Sequence, residues 1–375
     1  MAFKFFATCA RGTEDLLADE LRALGAKKVA QDRGGVSFVG ALPLGMRACL
    51  WLRTAQRVLL PIVDGPAPSA EALYELVHAQ DWAAHLTTTS TFAVEATVKD
   101  SALTHSHFVS LKVKDAIADK LRAQLGSRPD VDTRHPNVPV VVHLAKDHAS
   151  LSLDLAGAAL HRRGYRVATT PAPLKETLAA ALLLDAKWDG ATPLHDPVCG
   201  SGTIAIEAAL ISMKQAPGRR RAMAFLTWPS LPNAERDWKA LCAEADAVAL
   251  RKAPAPITGT DFDDRAIEAA RANVLAAGLD GQVHIRQADA RRLAPLDPPG
   301  LYALNPPYAE RIGQPLQVLG FYRQLAGRLA AAHGSRAVVL ATDLWPKGAG
   351  VLAPERVRNA WNGPIEARIF HYALG

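Results

Sequence analysis

Cysteine is scarce in this chain of 375 residues and never occurs in close pairs. Without a CxxC spacing the sequence gives no support to a zinc ribbon or to a disulfide framework. We therefore expect a protein of the reducing cytoplasm. His105 and His107 stand together without a third ligand nearby, so we interpret them as surface histidines and predict no metal site.

Long hydrophobic runs are also missing. No stretch reaches the roughly 18 uncharged apolar residues that a membrane-spanning helix needs. The opening segment, MAFKFFATCARG, is interrupted by Lys4 and Arg11 and lacks the layout of a signal peptide, so it reads as a first strand. The sequence predicts a soluble protein without a membrane partner.

Neither sign of charge dominates. Lys and Arg number 43 and Asp and Glu 37, which leaves a net charge of +6. This small surplus admits a polyanionic partner but does not require one. With 49% hydrophobic and 21% charged residues, the composition is that of a folded globular protein. A prior of roughly 150 residues per domain predicts two or three domains.

The first part of the chain alternates between strand and helix patterns. Apolar residues recur at helical spacing from Thr13 to Leu24, and Gly35 to Val39 alternates like a strand. The run from Leu50 to Val58 again looks helical. The turn-rich stretch Pro61 to Ser69 predicts a boundary between two small α/β units.

The second unit contains a predicted helix from Val109 to Leu125 and strands at Val138 to Leu144 and Ser150 to Leu155. From Leu174 onward short apolar strands alternate with helices, which predicts a doubly wound, mostly parallel sheet. An insertion, Lys214 to Pro256, interrupts this pattern. The predicted fold class is α/β, with units at residues 1–65 and 66–160, a linker at 161–173 and a last domain at 174–375.

A glycine-rich turn follows the first strand of this last domain. In open parallel sheets, ligands bind beyond the carboxyl ends of the strands. Gly200 and Gly202 would let the backbone turn tightly and approach a ligand, and the helix that follows offers free N–H groups. A dinucleotide fingerprint also fits the glycines, but no acid follows at the usual spacing of about 20 residues. The residues of this predicted turn are Asp196, Cys199, Gly200, Ser201, Gly202 and Thr203.

Two acids follow later strands of the same predicted sheet. Asp261 is placed to accept hydrogen bonds from ribose hydroxyls, and Asp289 to accept one from an adenine amine. A helix cap and a turn acid are the alternatives for these two residues. Cys199 reads as a small residue in a crowded turn rather than as a nucleophile.

The segment Asn305-Pro306-Pro307-Tyr308 is the most specific signal in the chain. Consecutive prolines fix the loop, so that the Asn305 side chain and the Pro306 carbonyl point outward as acceptors. Two acceptors beside an aromatic ring suit a planar amine, whose N–H groups they hold while Tyr308 stacks on the ring. The alternative is a strand-ending turn with a core tyrosine.

Together these motifs resemble those of the class I S-adenosylmethionine-dependent amino-methyltransferases. The similarity is closer to the THUMP-containing guanine-N2 methyltransferases of bacterial 23S ribosomal RNA. It extends over nearly the whole chain, through the opening FATCARGTEDLLADEL, the LKVKDAIAD helix, the LDLAG-AALHRRGYR run and the PLKETLAAALL helix.

The resemblance implies a ferredoxin-like domain at 1–65, a THUMP RNA-binding domain at 66–160 and a Rossmann-like methyltransferase domain at 174–375. It implies S-adenosylmethionine as cofactor, with Asp196, Gly200 and Gly202 at its methionine end, Asp261 on the ribose and Asp289 on the adenine. Lys175 and Glu176 match an additional cofactor-side motif of the family. Some relatives carry a second, C-terminal methyltransferase domain, and we expect that activity to be absent here.

Basic residues in two segments are candidate phosphate contacts. For any one of them the alternative is a solvated charged face. Those that we predict to bind RNA are Lys112, Lys114, Arg162, Arg163 and Arg166.

The resulting prediction is a monomeric enzyme that methylates the N2 amine of a guanine in 23S ribosomal RNA or a large-subunit precursor. Asn305, Pro306 and Tyr308 are its predicted catalytic residues. An adenine-N6 or glutamine-N5 methyltransferase is the alternative reaction, because such a loop serves any planar amine. A non-catalytic RNA-binding protein and an NAD-dependent dehydrogenase remain as alternatives from other classes.

Overall fold

The computed structural model of the protein describes residues 2–171, 173–308, 315–346 and 352–375. The first predicted unit is an antiparallel sheet with two helices. Its elements are β1 (Phe3–Cys9), α1 (Glu14–Ala23), β2 (Lys27–Asp32), β3 (Gly35–Gly40), α2 (Leu42–Trp51) and β4 (Ala55–Pro66). The predicted helix from Leu50 to Val58 is therefore wrong. Helix α2 lies earlier, and the remaining residues begin a long strand.

The second unit adds its strands to the same sheet. Its elements are α3 (Ala70–His78), β5 (Thr91–Lys99), α4 (Ser106–Leu125), β6 (Asp130–Val131), β7 (Val138–Ala145) and β8 (His148–Asp154). β4 pairs antiparallel with β8, giving the strand order β2-β3-β1-β4-β8-β7-β5-β6. The turn-rich stretch from Pro61 to Ser69 is thus in large part the end of β4, because prolines at a strand irregularity do not prevent pairing there.

The last domain has a seven-stranded sheet in the order β11-β10-β9-β12-β13-β15-β14. Among the described strands of this sheet, only the pairs of β15 with β13 and β14 are antiparallel, which confirms the predicted α/β fold with a mostly parallel sheet. Its strands are β9 (Leu194–Asp196), β10 (Ile257–Asp261), β11 (Val283–Gln287), β12 (Leu301–Leu304), β13 (Arg336–Ala341), β14 (Arg356–Asn362) and β15 (Ile365–Ala373). Its helices are α5 (Glu176–Asp185), α6 (Thr203–Ser212), α7 (Ala234–Val248), α8 (Asp264–Ala276) and α9 (Pro315–Ala330).

The strand order places a crevice over the centre of this sheet. β9 lies between β10 and β12, and the chain order reverses there, where ligands of doubly wound folds bind. The parallel register aligns Ile257 with both Leu194 and Val283. The carboxyl ends of these strands, and the polar residues that follow them, therefore meet at one edge.

The insertion from 214 to 256 packs away from this edge, on the N-terminal half. Phe225, Trp228 and Trp238 belong to the apolar core of the first two units. The indole of Trp228 donates to the Asn137 carbonyl at 3.0 Å. The insertion thus fastens the last domain to the first two.

The segment predicted as a linker also packs closely. Tyr165 lies in the apolar core of the last domain. The buried Asn273 of α8 accepts from the amides of Val167 and Ala168 at 2.9 and 3.0 Å. The same side chain donates to the Ala168 and Ser201 carbonyls. The linker is therefore held against the glycine-rich turn.

None of the helices in the described part of the chain is long and apolar enough to cross a membrane.

Candidate active site

A cavity of about 330 Å³ lies at the carboxyl edge of the parallel sheet. The predicted catalytic residues Asn305, Pro306 and Tyr308 all line it. Seven more predicted residues do so, namely Asp196, Cys199, Gly200, Ser201, Thr203, Asp261 and Asp289. Gly202, Lys175 and Glu176 are not among its lining residues. The structure thus brings together most of the site that the sequence predicted.

The glycine-rich turn has the backbone geometry that requires glycine. Gly200 and Gly202 have φ values of +52° and +83°, in the left-handed region. The nearest atom to a Cβ built on Gly200 would be Thr170 Oγ1, at 3.7 Å. A ligand can therefore approach the backbone here. Gly202 has a different role, because its amide closes the turn on the Cys199 carbonyl at 2.8 Å.

Asp196 is a buried carboxylate, with 1% of its surface exposed, at the end of β9. One of its oxygens accepts from the Val198 amide at 3.2 Å. Burial, and then the charge of Asp261, raises its pKa well above the usual range. A cation in the cavity would favour the ionised form of this carboxyl group.

Asp261 and Asp289 occupy the cavity wall but already have partners. Asp261 accepts from the amides of Gly200 at 2.9 Å and Asp263 at 3.1 Å, which fixes its orientation. Asp289 accepts from the amide of Arg291 and forms an ion pair with its guanidinium at 2.7 Å. Hydrogen bonds from Arg291 lower the pKa of Asp289. Asp289 thus stabilises the turn that follows β11, as the alternative interpretation of this residue expects.

The Asn305-Pro306-Pro307-Tyr308 loop is tied to itself and to α9. The Tyr308 hydroxyl donates to Asn305 Oδ1 at 2.8 Å, and the side chain is 1% exposed. The hydroxyl of buried Tyr322 donates to the Pro307 carbonyl at 2.7 Å. Tyr308 is therefore a buried core residue, as the alternative interpretation of this segment expects. Its hydroxyl is hydrogen-bonded to Asn305 Oδ1, the predicted acceptor for the substrate amine.

Cys199 is held in a crowded place. Burial, followed by the charges of Asp196 and Asp261, raises the pKa of its thiol well above the usual value. A thiolate is therefore disfavoured. A Cβ on neighbouring Gly259 would lie 3.1 Å from the Cys199 Cβ. This agrees with the interpretation of Cys199 as a small residue that fits a tight turn.

Sequence reasoning missed two parts of the cavity wall. Phe262 follows Asp261 and is 74% exposed at the cavity. An apolar residue between the acids Asp261 and Asp263 was the available signal. Thr170 and Pro171 of the linker also line the cavity, which no local pattern in the sequence indicates.

The predicted RNA-binding residues differ in their surroundings. Lys112 lies over the Tyr74 ring at 4.9 Å, and Lys114 pairs with Asp115 at 3.0 Å, both on α4. Arg162 is exposed. These three remain available to a phosphate.

Arg163 does not fit the prediction of a phosphate contact. It is 3% exposed, and its guanidinium donates to the carbonyls of Leu160 and Arg53 at 2.8 and 2.6 Å. It also pairs with Glu207 at 3.4 Å, to which Tyr165 donates as well. Buried charges need such partners, so the geometry favours a structural role that joins the linker to α6.

Arg166 is likewise directed inward. It pairs with Glu176 at 2.9 Å and donates to Ser201 Oγ at 3.0 Å and Thr203 Oγ1 at 3.1 Å. This arrangement braces the glycine-rich turn against the start of α5 and is unlike a free phosphate contact. Arg166, Lys175 and Glu176 line a separate groove beside the cavity.

His105 and His107 are exposed, as their interpretation as surface residues requires. Within the described ranges, no group of three or more His, Cys, Asp or Glu side chains could hold a metal ion.

Three family models match successive parts of the chain. An RlmL ferredoxin-like domain matches residues 4–59, a THUMP domain 67–154, and an RMKL-like methyltransferase domain 163–347. These matches confirm the resemblance inferred from the sequence and do not favour the dehydrogenase or the non-catalytic alternative.

Individual relatives agree with these matches. "Ribosomal RNA large subunit methyltransferase K/L" of Syntrophotalea carbinolica is 41% identical over 99% of this chain and 53% of its own length. The chain thus spans about half the length of such curated relatives. "Putative RNA methyltransferase slr0064" of Synechocystis is 40% identical over 86% of this chain and 83% of its own.

A solved structure is similar over its whole length. The crystal structure of "SMU.472, a putative methyltransferase complexed with SAH" shares 31% identity and a TM-score of 0.89, with 100% of this chain and 98% of the other covered. The chain therefore belongs to the family that joins ferredoxin-like and THUMP domains to an RMKL-like methyltransferase domain.

Proposed function

We propose that this protein transfers a methyl group from S-adenosylmethionine to the exocyclic N2 amine of a guanine in 23S ribosomal RNA. The observation that carries this proposal is one cavity that contains both an acidic, glycine-rich wall and the Asn305–Tyr308 loop. The names of the relatives support a methyl transfer to RNA, and the THUMP match supports an RNA substrate.

The cavity wall fits the cofactor. The open space beside the Gly200 backbone would hold the part of the cofactor that packs against the glycine-rich turn. Asp261 is oriented by two backbone amides and would accept hydrogen bonds from the ribose hydroxyls. Asp289 would accept a hydrogen bond from the adenine amine, and Asp196 would lie at the methionine end. When bound, the cofactor supplies an electrophilic methyl group on a sulfonium. The acidic wall is complementary to that positive charge.

The loop provides the acceptors for the substrate amine. Asn305 Oδ1 and the Pro306 carbonyl would accept from the two N–H groups of guanine N2 and favour a pyramidal nitrogen whose lone pair faces the methyl group. No covalent bond to the protein is needed, so orientation and fixed dipoles provide the acceleration. A carboxamide oxygen has two lone pairs, so Asn305 Oδ1 can accept from the substrate as well as from Tyr308.

The target guanine must leave its stack to enter this cavity. Unstacking costs a few kcal/mol as an order of magnitude, which gives the preceding RNA-binding domains a purpose. Lys112, Lys114 and Arg162 are the candidate phosphate contacts. We propose that the protein acts as a monomer in the cytoplasm, where ribosomal RNA or a large-subunit precursor is its substrate.

The experiment is methyl transfer from labelled S-adenosylmethionine to 23S RNA, with the product nucleoside identified by mass spectrometry. We expect N2-methylguanosine. Finding N6-methyladenosine would overturn the substrate assignment, because an Asn-Pro-Pro-Tyr loop also suits the adenine amine. No transfer to any RNA by folded, cofactor-binding protein would overturn the proposed reaction.

A further inference from the structure

A groove of about 490 Å³ lies beside the candidate active site, between the linker and the start of α5. His161, Arg162 and Lys175 lie in its wall. Pro173 and Leu174 line both this groove and the active-site cavity. The groove and the cavity are therefore direct neighbours, on either side of these two residues.

The groove carries unbalanced positive charge. Its acid, Glu176, is paired with Arg166, and Arg163 is paired with Glu207 behind the wall. Arg162 and Lys175 form no ion pair with any residue that the structure describes. Two cations thus face the groove without a carboxylate to neutralise them.

His161, in the same wall, lies among these positive charges. Its Nδ1 atom is buried and has no hydrogen-bond partner among the described residues. Burial, followed by the charges of Lys175, Arg162, Arg163 and Arg221, lowers its pKa to about 4. The imidazole is therefore neutral near pH 7 and retains a polar atom without a partner. An anion in the groove would relieve the repulsion among the cations that surround His161.

We propose that this groove binds a backbone phosphate of the RNA next to the nucleotide that enters the cavity, held by Arg162, Lys175 and His161. This inference rests on the proposed function, since it assumes an RNA substrate. A phosphate held here fixes the strand beside the extruded base. Lys175 then contacts the RNA rather than the cofactor, in agreement with its place in the groove and outside the cavity.

The test removes the two free cations together, as Arg162→Gln with Lys175→Met. The matched control is Arg251→Gln with Lys252→Met, an exposed basic pair that precedes β10 at the opposite edge of the sheet. Binding to 23S RNA is measured at several salt concentrations. Because each neutralised phosphate contributes about 0.7 to the salt slope for single strands, we expect the groove variant to lose about that amount. The control should keep the slope of the unaltered protein.

Equal slopes for the groove variant and the unaltered protein would overturn the proposal, as would an equal loss in the control. The groove could hold either a phosphate of the RNA or the carboxylate of the cofactor. The affinity for S-adenosylhomocysteine (SAH), measured by calorimetry, distinguishes these two anions. Unchanged SAH affinity is expected for a phosphate groove, whereas a strong loss would show that Lys175 holds the cofactor carboxylate instead. The product nucleoside is identified in parallel. If the product is N6-methyladenosine and the groove variant has a reduced salt slope, the guanine assignment is refuted, whereas the proposal of a phosphate-binding groove still holds.

A second measurement follows His161 itself in the unaltered protein. The His161 ring signal, identified by its loss in His161→Gln, is titrated by NMR with and without a short single-stranded RNA. We expect the pKa of His161 to rise when RNA binds, because the phosphate cancels the surrounding positive charge. An unchanged His161 titration with saturating RNA would contradict the proposal.

Discussion

The active-site cavity and the neighbouring groove share the wall residues Pro173 and Leu174, but acidic side chains line the cavity and mostly basic ones line the groove. The cavity contains Asp196, Asp261 and Asp289, whereas the free charges of the groove are Arg162 and Lys175. A sulfonium cofactor suits the first and a phosphodiester chain the second. The opposite sign of the two linings favours a cationic ligand in the cavity and an anionic one in the groove.

Arg166 and Glu176 line the groove beside these shared residues. Their ion pair neutralises both groups, and Arg166 also donates to Ser201 and Thr203 in the glycine-rich turn. The pair therefore adds no net charge to the groove. The predictions below test whether the two sides act separately.

The largest effect is expected for Asn305→Ala, which removes one acceptor for the amine. Turnover should fall on the order of a hundredfold to a thousandfold, because this contact strengthens in the transition state. Cofactor affinity should be nearly unchanged, since the three acids remain. Initial rates with labelled S-adenosylmethionine and calorimetry with SAH measure the two quantities. Tyr308→Phe is the matched control. It removes only the hydroxyl on Asn305 Oδ1 and should be mild, and a fully active Asn305→Ala would refute the mechanism.

This ion pair is tested by Arg166→Met. Loss of hydrogen bonds from a charged donor is typically worth about 1.5 to 3 kcal/mol, so SAH affinity should fall by at least tenfold. The salt slope of RNA binding should stay the same, because Arg166 is directed inward. Arg166→Lys keeps the charge without the forked donors and should recover part of the affinity. A reduced salt slope of RNA binding together with unchanged SAH affinity would instead assign Arg166 to RNA binding.

On the cavity side, Asp261→Ala should weaken SAH binding by about tenfold, because the ribose would lose a charged acceptor. The Gly200 amide would also lose its partner. Asp263→Ala is the control on the same loop, since it caps α8 through the Arg265 amide. Calorimetry that gives equal affinities for unaltered and Asp261→Ala protein would remove Asp261 from the site.

The smallest effect concerns protons. The pKa of Asp196 is raised in the free protein by burial and by Asp261, which shifts its equilibrium toward the neutral form. The bound sulfonium of S-adenosylmethionine favours the carboxylate form of Asp196, so binding of S-adenosylmethionine should release a fraction of a proton. The affinity for S-adenosylmethionine should then rise with pH by at most about tenfold per unit. Calorimetry in buffers of different ionisation enthalpy measures this release. Asp196→Asn should abolish it, and no release from unaltered protein would contradict the assignment.

The sequence allowed the strand ends to be predicted because short apolar strands are each followed by a conspicuous polar residue. Asp196, Asp261, Asp289 and Asn305 lie together for that reason. The sequence predicts a turn at Pro61, but this residue lies within β4, because proline marks turns locally yet is tolerated where a paired strand is irregular.

Charge was the least informative feature of the sequence. Arg162 and Arg163 are neighbours of the same residue type, yet one is exposed and the other is buried against Glu207. That partner lies far along the chain, and only tertiary packing brings it near. The exposed Phe262 was missed because a single apolar residue in a loop gives no pattern of hydrophobic periodicity.

The division between cavity and groove is tested most directly by measuring SAH affinity and RNA affinity for two variants side by side. Asp261→Ala should lower SAH affinity and leave the RNA salt slope unchanged. Arg162→Gln with Lys175→Met should reduce the slope and leave SAH affinity unchanged. If either variant weakens both ligands to the same extent, the two sides do not act separately and the account is wrong.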